Sequence, residues 1–250
     1  MTKNKFAYSL VLLTGLFLLS QCSPKIYSSA NTEFFVLGSE IKEDPNLRNF
    51  VAPYKIKLEA EMNSVIGQTK EAILKTGTGE TPIGNLVADL QKEYAEEYFG
   101  YNIDISIINN GGIRNTLPKG NITLGNIFEI SPFDNYLYVL ELNAEQVVNL
   151  AEFAAQRKIL GINGLYIESQ SEELTKLLVN GKQVEKGKTY LLAVNDYLAN
   201  GGDGMDMLTD LPRKEQSTIL LRELLIDRIK LRTSRGEIIS AQIEGRQNFK

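Results

Sequence analysis

The sequence predicts an α+β domain built on a layered mixed sheet. Three observations carry that expectation. Apolar residues recur at helical steps in some segments, as at Leu86, Leu90, Tyr94 and Tyr98, and alternate in others, as at Tyr136, Tyr138 and Leu140. The two kinds of segment follow one another irregularly. Asn180-Gly181 is the favoured pair of a tight hairpin turn, so at least one connection is antiparallel. A regular doubly wound parallel sheet fits none of this. With 250 residues, 43% hydrophobic and 23% charged, the chain can bury a sizeable core.

The first residues stand apart from that core. Lys3 and Lys5 form a basic start, and Ala7–Leu19 is an apolar run too short to span a bilayer comfortably. Leu19-Ser20-Gln21-Cys22 looks like a bacterial lipobox, although Gln21 stands where a small residue is usual. We expect residues 1–21 to be a leader, Cys22 a lipidated N-terminus, and 22–45 a tether ahead of a domain over 46–250. The alternatives are a plain signal peptide cut nearby or a weak membrane anchor. Cys22 is the sole cysteine, so it has no disulfide partner within the chain. The expected location is the bacterial cell envelope, periplasmic or surface-facing.

Thr32–Leu37 reads as a short strand. Val51, Tyr54, Leu58, Met62 and Val65 are spaced for one amphipathic helix between Pro45 and Val65, with Pro53 best placed in its first turn. Thr76–Pro82 is turn-rich, and Gly84–Phe99 reads as a helix. Ile103–Ile108 is a strand, followed by a loop and a short strand at Asn121–Thr123. Leu124–Ile130 is a helical turn before the Ser131–Asn135 loop, and Tyr136–Leu142 is a strand. Asn143 and Gln146 have capping-box spacing and open a helix to about Arg157. Strands are expected at Gly164–Glu168, at Leu177–Val179 before the Asn180-Gly181 turn, and at Thr189–Asp196. Thr218 can cap a last helix, Ile219–Leu231, and residues 237–243 can close the chain as a strand.

Charge and composition exclude several functions. The formal net charge is −4, and it becomes −6 without Lys3 and Lys5, which disfavours binding to a long nucleic acid. There is no histidine. That removes Cys/His zinc sites and Ser–His or Cys–His nucleophile pairs, and leaves oxygen-based sites for magnesium or calcium open.

Three loops could carry chemistry. Asn109-Asn110-Gly111-Gly112-Ile113-Arg114 follows a strand. Its glycines let the backbone approach a ligand, and Arg114 suits phosphate or stacking contacts. On pattern alone it reads as a turn with a solvated arginine. Asn195-Asp196-Tyr197-Leu198-Ala199-Asn200-Gly201-Gly202-Asp203-Gly204 offers a ring at Tyr197 and an acceptor at Asp203, or is a surface turn. A calcium loop of the EF-hand type lacks its acid spacing here. In Ser131-Pro132-Phe133-Asp134-Asn135, Phe133 is a ligand platform or a core plug.

Taken in order, these stretches resemble the C-terminal domain of the 5'-nucleotidase and UDP-sugar hydrolase family over roughly residues 60–246. Asn110–Arg114 is similar to its NGG-x-R stretch, Gly120–Thr123 to G-D-I-T, and Pro132–Asn135 to P-F-x-N. Asn195–Gly204 resembles the signature N-D-F/Y-L-A-x-G-G-D-G, and Gly79–Leu86 resembles G-E-T-x-L-G-N-L. The resemblance implies that Phe133 and Tyr197 sandwich a nucleotide base and that Asn135 contacts it. It also implies that Asp203 bonds the ribose hydroxyls, that Arg114 belongs to the substrate pocket, and that the Gly164 backbone approaches the base. Two further family arginines would fall at Ile73 and Gly77, and Lys70 and Lys75 are out of register. In the family, two metal ions on a preceding domain carry the chemistry. The residues between Cys22 and the first matching helix hold no histidine or acid cluster for that task. The expectation is therefore a nucleotide- or nucleoside-recognition subunit of a split hydrolase. It has no catalytic residue, metal or cofactor of its own, and divalent metals sit in an exported partner metallophosphatase. The alternatives are a lipid-anchored nucleoside- or nucleotide-binding protein without turnover, and an interaction protein that has lost the pocket.

Overall fold

The computed structural model describes Phe34, Gly38 and residues 41–250. The leader, Cys22, all but the end of the tether, and the strand expected over Thr32–Leu37 (Phe34 apart) lie outside the described residues. The chain divides at Arg48/Asn49, and the core belongs to the second unit.

Helix α1 (Pro45–Met62) begins at Asp44, whose Oδ1 accepts from Asn46 N at 2.7 Å. Pro53 lies inside this helix, not in its first turn, and there it withholds a main-chain donor. No residue of α1 is buried, and Phe50, Val51, Tyr54 and Leu58 are exposed. Its apolar spacing therefore contributes no core. Strand β1 (Val65–Thr69) starts where the helical pattern was expected to end.

Thr81 caps α2 (Pro82–Phe99): its hydroxyl accepts from Gly84 N at 3.0 Å, and Pro82 occupies the first turn, where no donor is lost. Strand β2 (Ile105–Asn109) is buried throughout. Strand β3 (Gly120–Thr123) pairs antiparallel with β1 and runs directly into α3 (Leu124–Ile130). Thr123 and Asn126 form a capping box at that junction. Strand β4 (Tyr136–Leu142) leads to α4 (Ala144–Arg157), where the Asn143–Gln146 capping box forms as its spacing predicts.

Strands β5 (Leu160–Asn163), β6 (Leu165–Gln170) and β7 (Glu173–Val179) follow. The β6–β7 hairpin turns on Ser171 and Glu172, both at positive φ, although neither is a residue type that favours it. Asn180-Gly181 does adopt positive φ at both residues, yet it closes only an isolated bridge between Val179 and Lys182. Strand β8 (Tyr190–Asn195) enters the short helix α5 (Asp196–Ala199).

Two expectations near the C-terminus are corrected. Thr218 and Ile219 belong to strand β9 (Arg213–Leu220), which pairs antiparallel with β4, and α6 (Leu221–Ser234) starts without a side-chain cap. Residues 237–243 form no strand; Ile239 makes one bridge to Thr69. The closing strand is β10 (Gln247–Phe249), parallel to β6.

The central sheet has the order β5-β2-β8-β4-β9, with only the β2–β8 pair parallel. A second sheet, β10-β6-β7, and the β1–β3 pair complete a mixed α+β architecture, as the sequence predicts. Alternate residues of the central strands feed two cores. Ile108, Val139 and Ala193 join Leu86, Leu90, Leu224 and Leu225 of α2 and α6. Ile107, Leu192 and Val194 join Leu150 and Ala154 of α4 and Ile167 of the second sheet. Buried Gln91 fixes α2 on the sheet: its Nε2 donates to Ser106 Oγ, Ile107 O and Ala193 O at 2.9–3.1 Å.

Candidate functional site

The parallel pair β2 and β8 opens both of its carboxyl ends on one sheet edge, the edge where ligands gather in open α/β sheets. Asn109 ends β2, and Asn195 ends β8. Because β4 runs antiparallel to β8, with Leu137 opposite Asn195, its beginning and the preceding turn reach the same edge. Sheet topology thus gathers three loops that are far apart in sequence. Asn109, Gly111, Gly112, Arg114, Phe133, Asn135, Tyr197 and Asp203 line one cleft of about 350 Å³ there, a size suited to a small ligand.

Five of the six expected contact residues therefore meet: Arg114, Phe133, Asn135, Tyr197 and Asp203. Gly164 is not among the lining residues. It joins β5 to β6 at φ 82°, and a Cβ there would lie 2.0 Å from Asp104 O. A close backbone crossing explains that glycine.

Phe133 is 48% exposed and Tyr197 45%. Neither ring packs on another aromatic side chain among the described residues. Two half-bare rings bordering one cleft are open platforms rather than core plugs. Asn135 is half-buried, and its backbone oxygen accepts from Leu221 N at 2.8 Å. Arg114 is exposed; its Nη1 donates to Gly111 O at 3.2 Å.

The third loop is held from inside. The Tyr197 hydroxyl donates to Asp203 Oδ1 at 2.8 Å and accepts from Asp203 N at 3.2 Å. Its hydrogen bond to Asp203 pushes the Tyr197 phenol above its ordinary range, so the hydroxyl keeps its proton at neutral pH. Gly202 lies under the ring: a Cβ there would stand 2.5 Å from Tyr197 Cε1. Asp203 itself adopts φ 54°, a left-handed conformation that aspartate tolerates.

Sequence reasoning missed two residues. Asn109 is buried, and its Nδ2 donates to Asp203 Oδ2 at 2.7 Å, joining the first loop to the third. It stands beside the motif, and nothing in its spacing separates it from a turn residue. Arg222, on α6, holds the Phe133 turn. Its Nη1 donates to Ser131 O at 3.1 Å, its Nη2 donates to Asp134 Oδ1 at 2.6 Å, and its guanidinium lies 4.6 Å from the Phe128 ring centroid. Its side chain is 12% exposed. Asn110 turns away from the cleft and donates to Gly79 O at 2.6 Å, which ties the loop to the start of α2.

At the positions expected to lack the family arginines, Ile73 is buried in the core and bridges Leu117, so it faces away from solvent. Among the described residues no cluster of three or more His, Cys, Asp or Glu is arranged to hold a metal ion.

Fold and cleft together define the class: an α+β domain that lines one cleft with two aromatic rings, an amide, a carboxylate and a guanidinium. Comparison with known proteins gives its family. The profile described as "5'-nucleotidase, C-terminal domain" matches residues 65–210, and the chain belongs to that family. It is 29% identical over 238 residues to the trifunctional nucleotide phosphoesterase protein YfkN of Bacillus subtilis, covering 87% of this chain and 16% of that protein. It is 25% identical over 197 residues to a 5'-nucleotidase of Vibrio vulnificus, covering 75% of this chain and 34% of that protein. A solved 5'-nucleotidase precursor from Thermus thermophilus superposes with a TM-score of 0.69 at 25% identity, covering 83% of this chain and 43% of that one. The chain thus spans less than half the length of each of these relatives.

Proposed function

We propose that this chain is the nucleotide- or nucleoside-recognition component of a split 5'-nucleotidase-type phosphohydrolase, with metal chemistry supplied by a separate exported metallophosphatase. The observation that carries the reading is the cleft itself. Phe133 and Tyr197 offer faces for a base, and Asn135 borders the same space with a side-chain amide. Asp203 offers acceptors for sugar hydroxyls, and Arg114 offers a cation for the phosphate end. Stacking of this kind contributes on the order of 1–3 kcal/mol per base and tolerates different bases. Export and lipidation at Cys22 complete the reading by placing the protein in the cell envelope.

The test is AMP hydrolysis by the full chain, by a metallophosphatase exported by the same cell, and by the two mixed. We expect the mixture to exceed the metallophosphatase alone. No gain on mixing would sink the split-enzyme reading.

One observation favours a second reading, a lipid-anchored protein that captures nucleosides or nucleotides without turnover. Among the described residues Arg114 is the only cation lining the cleft, which supports weak binding of a phosphate end. Equal affinity for adenosine and AMP, with no effect of any partner, supports capture.

Arg222 supplies a further prediction. Arg222→Met removes both hydrogen bonds to the Ser131–Asn135 turn. We expect adenosine affinity to fall roughly fivefold through loss of preorganisation, measured by calorimetry. Tyr197 and Asp203 should be undisturbed, because Arg222's hydrogen bonds go to Ser131 and Asp134 instead.

A further inference from the structure

Helix α1 is 18 residues long and buries none of them. Leu47, Phe50, Val51, Tyr54 and Leu58 are each more than half exposed, and their steps of three and four put them on one stripe. The Phe50 and Tyr54 rings meet along it, with centroids 5.9 Å apart. Five large apolar side chains on one side contribute nothing to a helix that stays solvated. The stripe therefore fits a surface that the fold itself does not supply.

Cations flank the stripe. At about 100° per residue, Arg48 and Lys55 fall along one border and Lys57 along the other. Arg48 pairs with Glu43, and Lys55 with Glu59 at 3.8 Å, in pairs that are well exposed and weakly held. Glu61 enters the stripe only in the last turn, next to β1. Long cationic side chains beside an apolar stripe can lay their stems on a hydrocarbon surface and keep their charges among its headgroups. Among the described residues no helix is long and apolar enough to cross a membrane, so α1 is built to lie on a bilayer and not to span it.

Its place in the chain selects the bilayer from other apolar surfaces. Only residues 23–44 separate Cys22 from Pro45, where α1 begins. That length of chain reaches at most about 75 Å when fully extended. An acyl chain on Cys22 keeps α1 within this distance of the membrane, whereas a free partner must be met by diffusion. The resulting local concentration lets a modest stripe suffice.

We infer that α1 is an interfacial helix that lays its Leu47–Leu58 stripe on an anionic phospholipid bilayer, as a second hold beside the lipid anchor. The inference rests on lipidation at Cys22 in the reading above.

The chain contains no tryptophan, so one introduced on α1 reports its own surroundings alone. Tyr54→Trp places an indole in the stripe, and Ile56→Trp places one on the opposite side; both positions are about two-thirds exposed. The full chain with either substitution is mixed with vesicles of phosphatidylethanolamine and about one quarter phosphatidylglycerol. We expect the emission of Tyr54→Trp to shift to shorter wavelength and to be quenched by brominated acyl chains. The emission of Ile56→Trp should stay in place. Adding Phe50→Asp and Leu58→Asp to Tyr54→Trp should remove the shift, with circular dichroism as the check that the chain stays folded. No shift in Tyr54→Trp, or equal shifts in both variants, overturns the inference. So does a shift that appears without vesicles as protein concentration rises, which marks a second copy as the occupant. The mass of the Cys22 segment tests the anchor separately. An unmodified Cys22 with the Tyr54→Trp shift intact removes the anchor and leaves the interfacial helix; an acylated Cys22 without the shift does the reverse.

Discussion

Phe133→Ala combined with Tyr197→Ala is expected to weaken adenosine binding about a hundredfold, with each single substitution contributing about tenfold. The rings border the same cleft from different loops, and each is about half exposed. Their apolar faces are therefore not committed to the core, and their removal should leave the fold intact. Sheet topology explains why both are needed: β4 and β8 deliver them to one edge from opposite strand directions. Tyr197→Ala also removes a donor from Asp203, so its single effect should exceed that of Phe133→Ala. The check is calorimetry with adenosine on both single variants and the double variant, with thermal unfolding as the control. Unchanged affinity in the double variant would show that the base lies elsewhere.

Gly164→Ala is expected to lower stability by about 3 kcal/mol, a fall in Tm of roughly 6–12 °C for a domain of this size. The added Cβ would lie 2.0 Å from Asp104 O, and the residue sits at φ 82°, where only glycine is unstrained. Asp104 and Asn180 both engage this crossing: Asn180 N donates to Gly164 O at 2.8 Å, and Asn180 Nδ2 donates to Asp104 O at 3.1 Å. Relief of the overlap must therefore shift the β5–β6 connection against the central sheet. Thermal unfolding measures the loss. A Tm within a degree or two of the natural protein's would show that the crossing yields easily.

The parts of this fold that were legible in the sequence are those set by local chemistry. Asn143 and Gln146 mark the start of α4 because their side chains satisfy each other's backbone donors, and neither depends on tertiary packing. Tyr136–Leu142 alternates and pairs on both sides as a strand. The illegible parts are those decided by distant partners. Thr218 has the chemistry of a cap, but pairing of its segment with β4 extends the strand past it. Ser171 and Glu172 carry no turn signal, and the β6–β7 ladder alone forces them to positive φ. Strand β10 exists only because β6 offers it an edge.

The site divides in the same way. The loop residues that line the cleft stand in motifs, so the sequence could name them. Arg222 holds the Phe133 turn from 88 positions away, measured to Asp134, and no local pattern announces it. Asn109 reads as one more turn asparagine until the strand ends place its amide against Asp203.

The most direct measurement is calorimetric titration of the natural full chain with adenosine. We expect one site, with binding that Phe133→Ala and Tyr197→Ala each weaken. The absence of any heat from adenosine or AMP, on a chain shown to be folded, would contradict a nucleoside-recognising cleft.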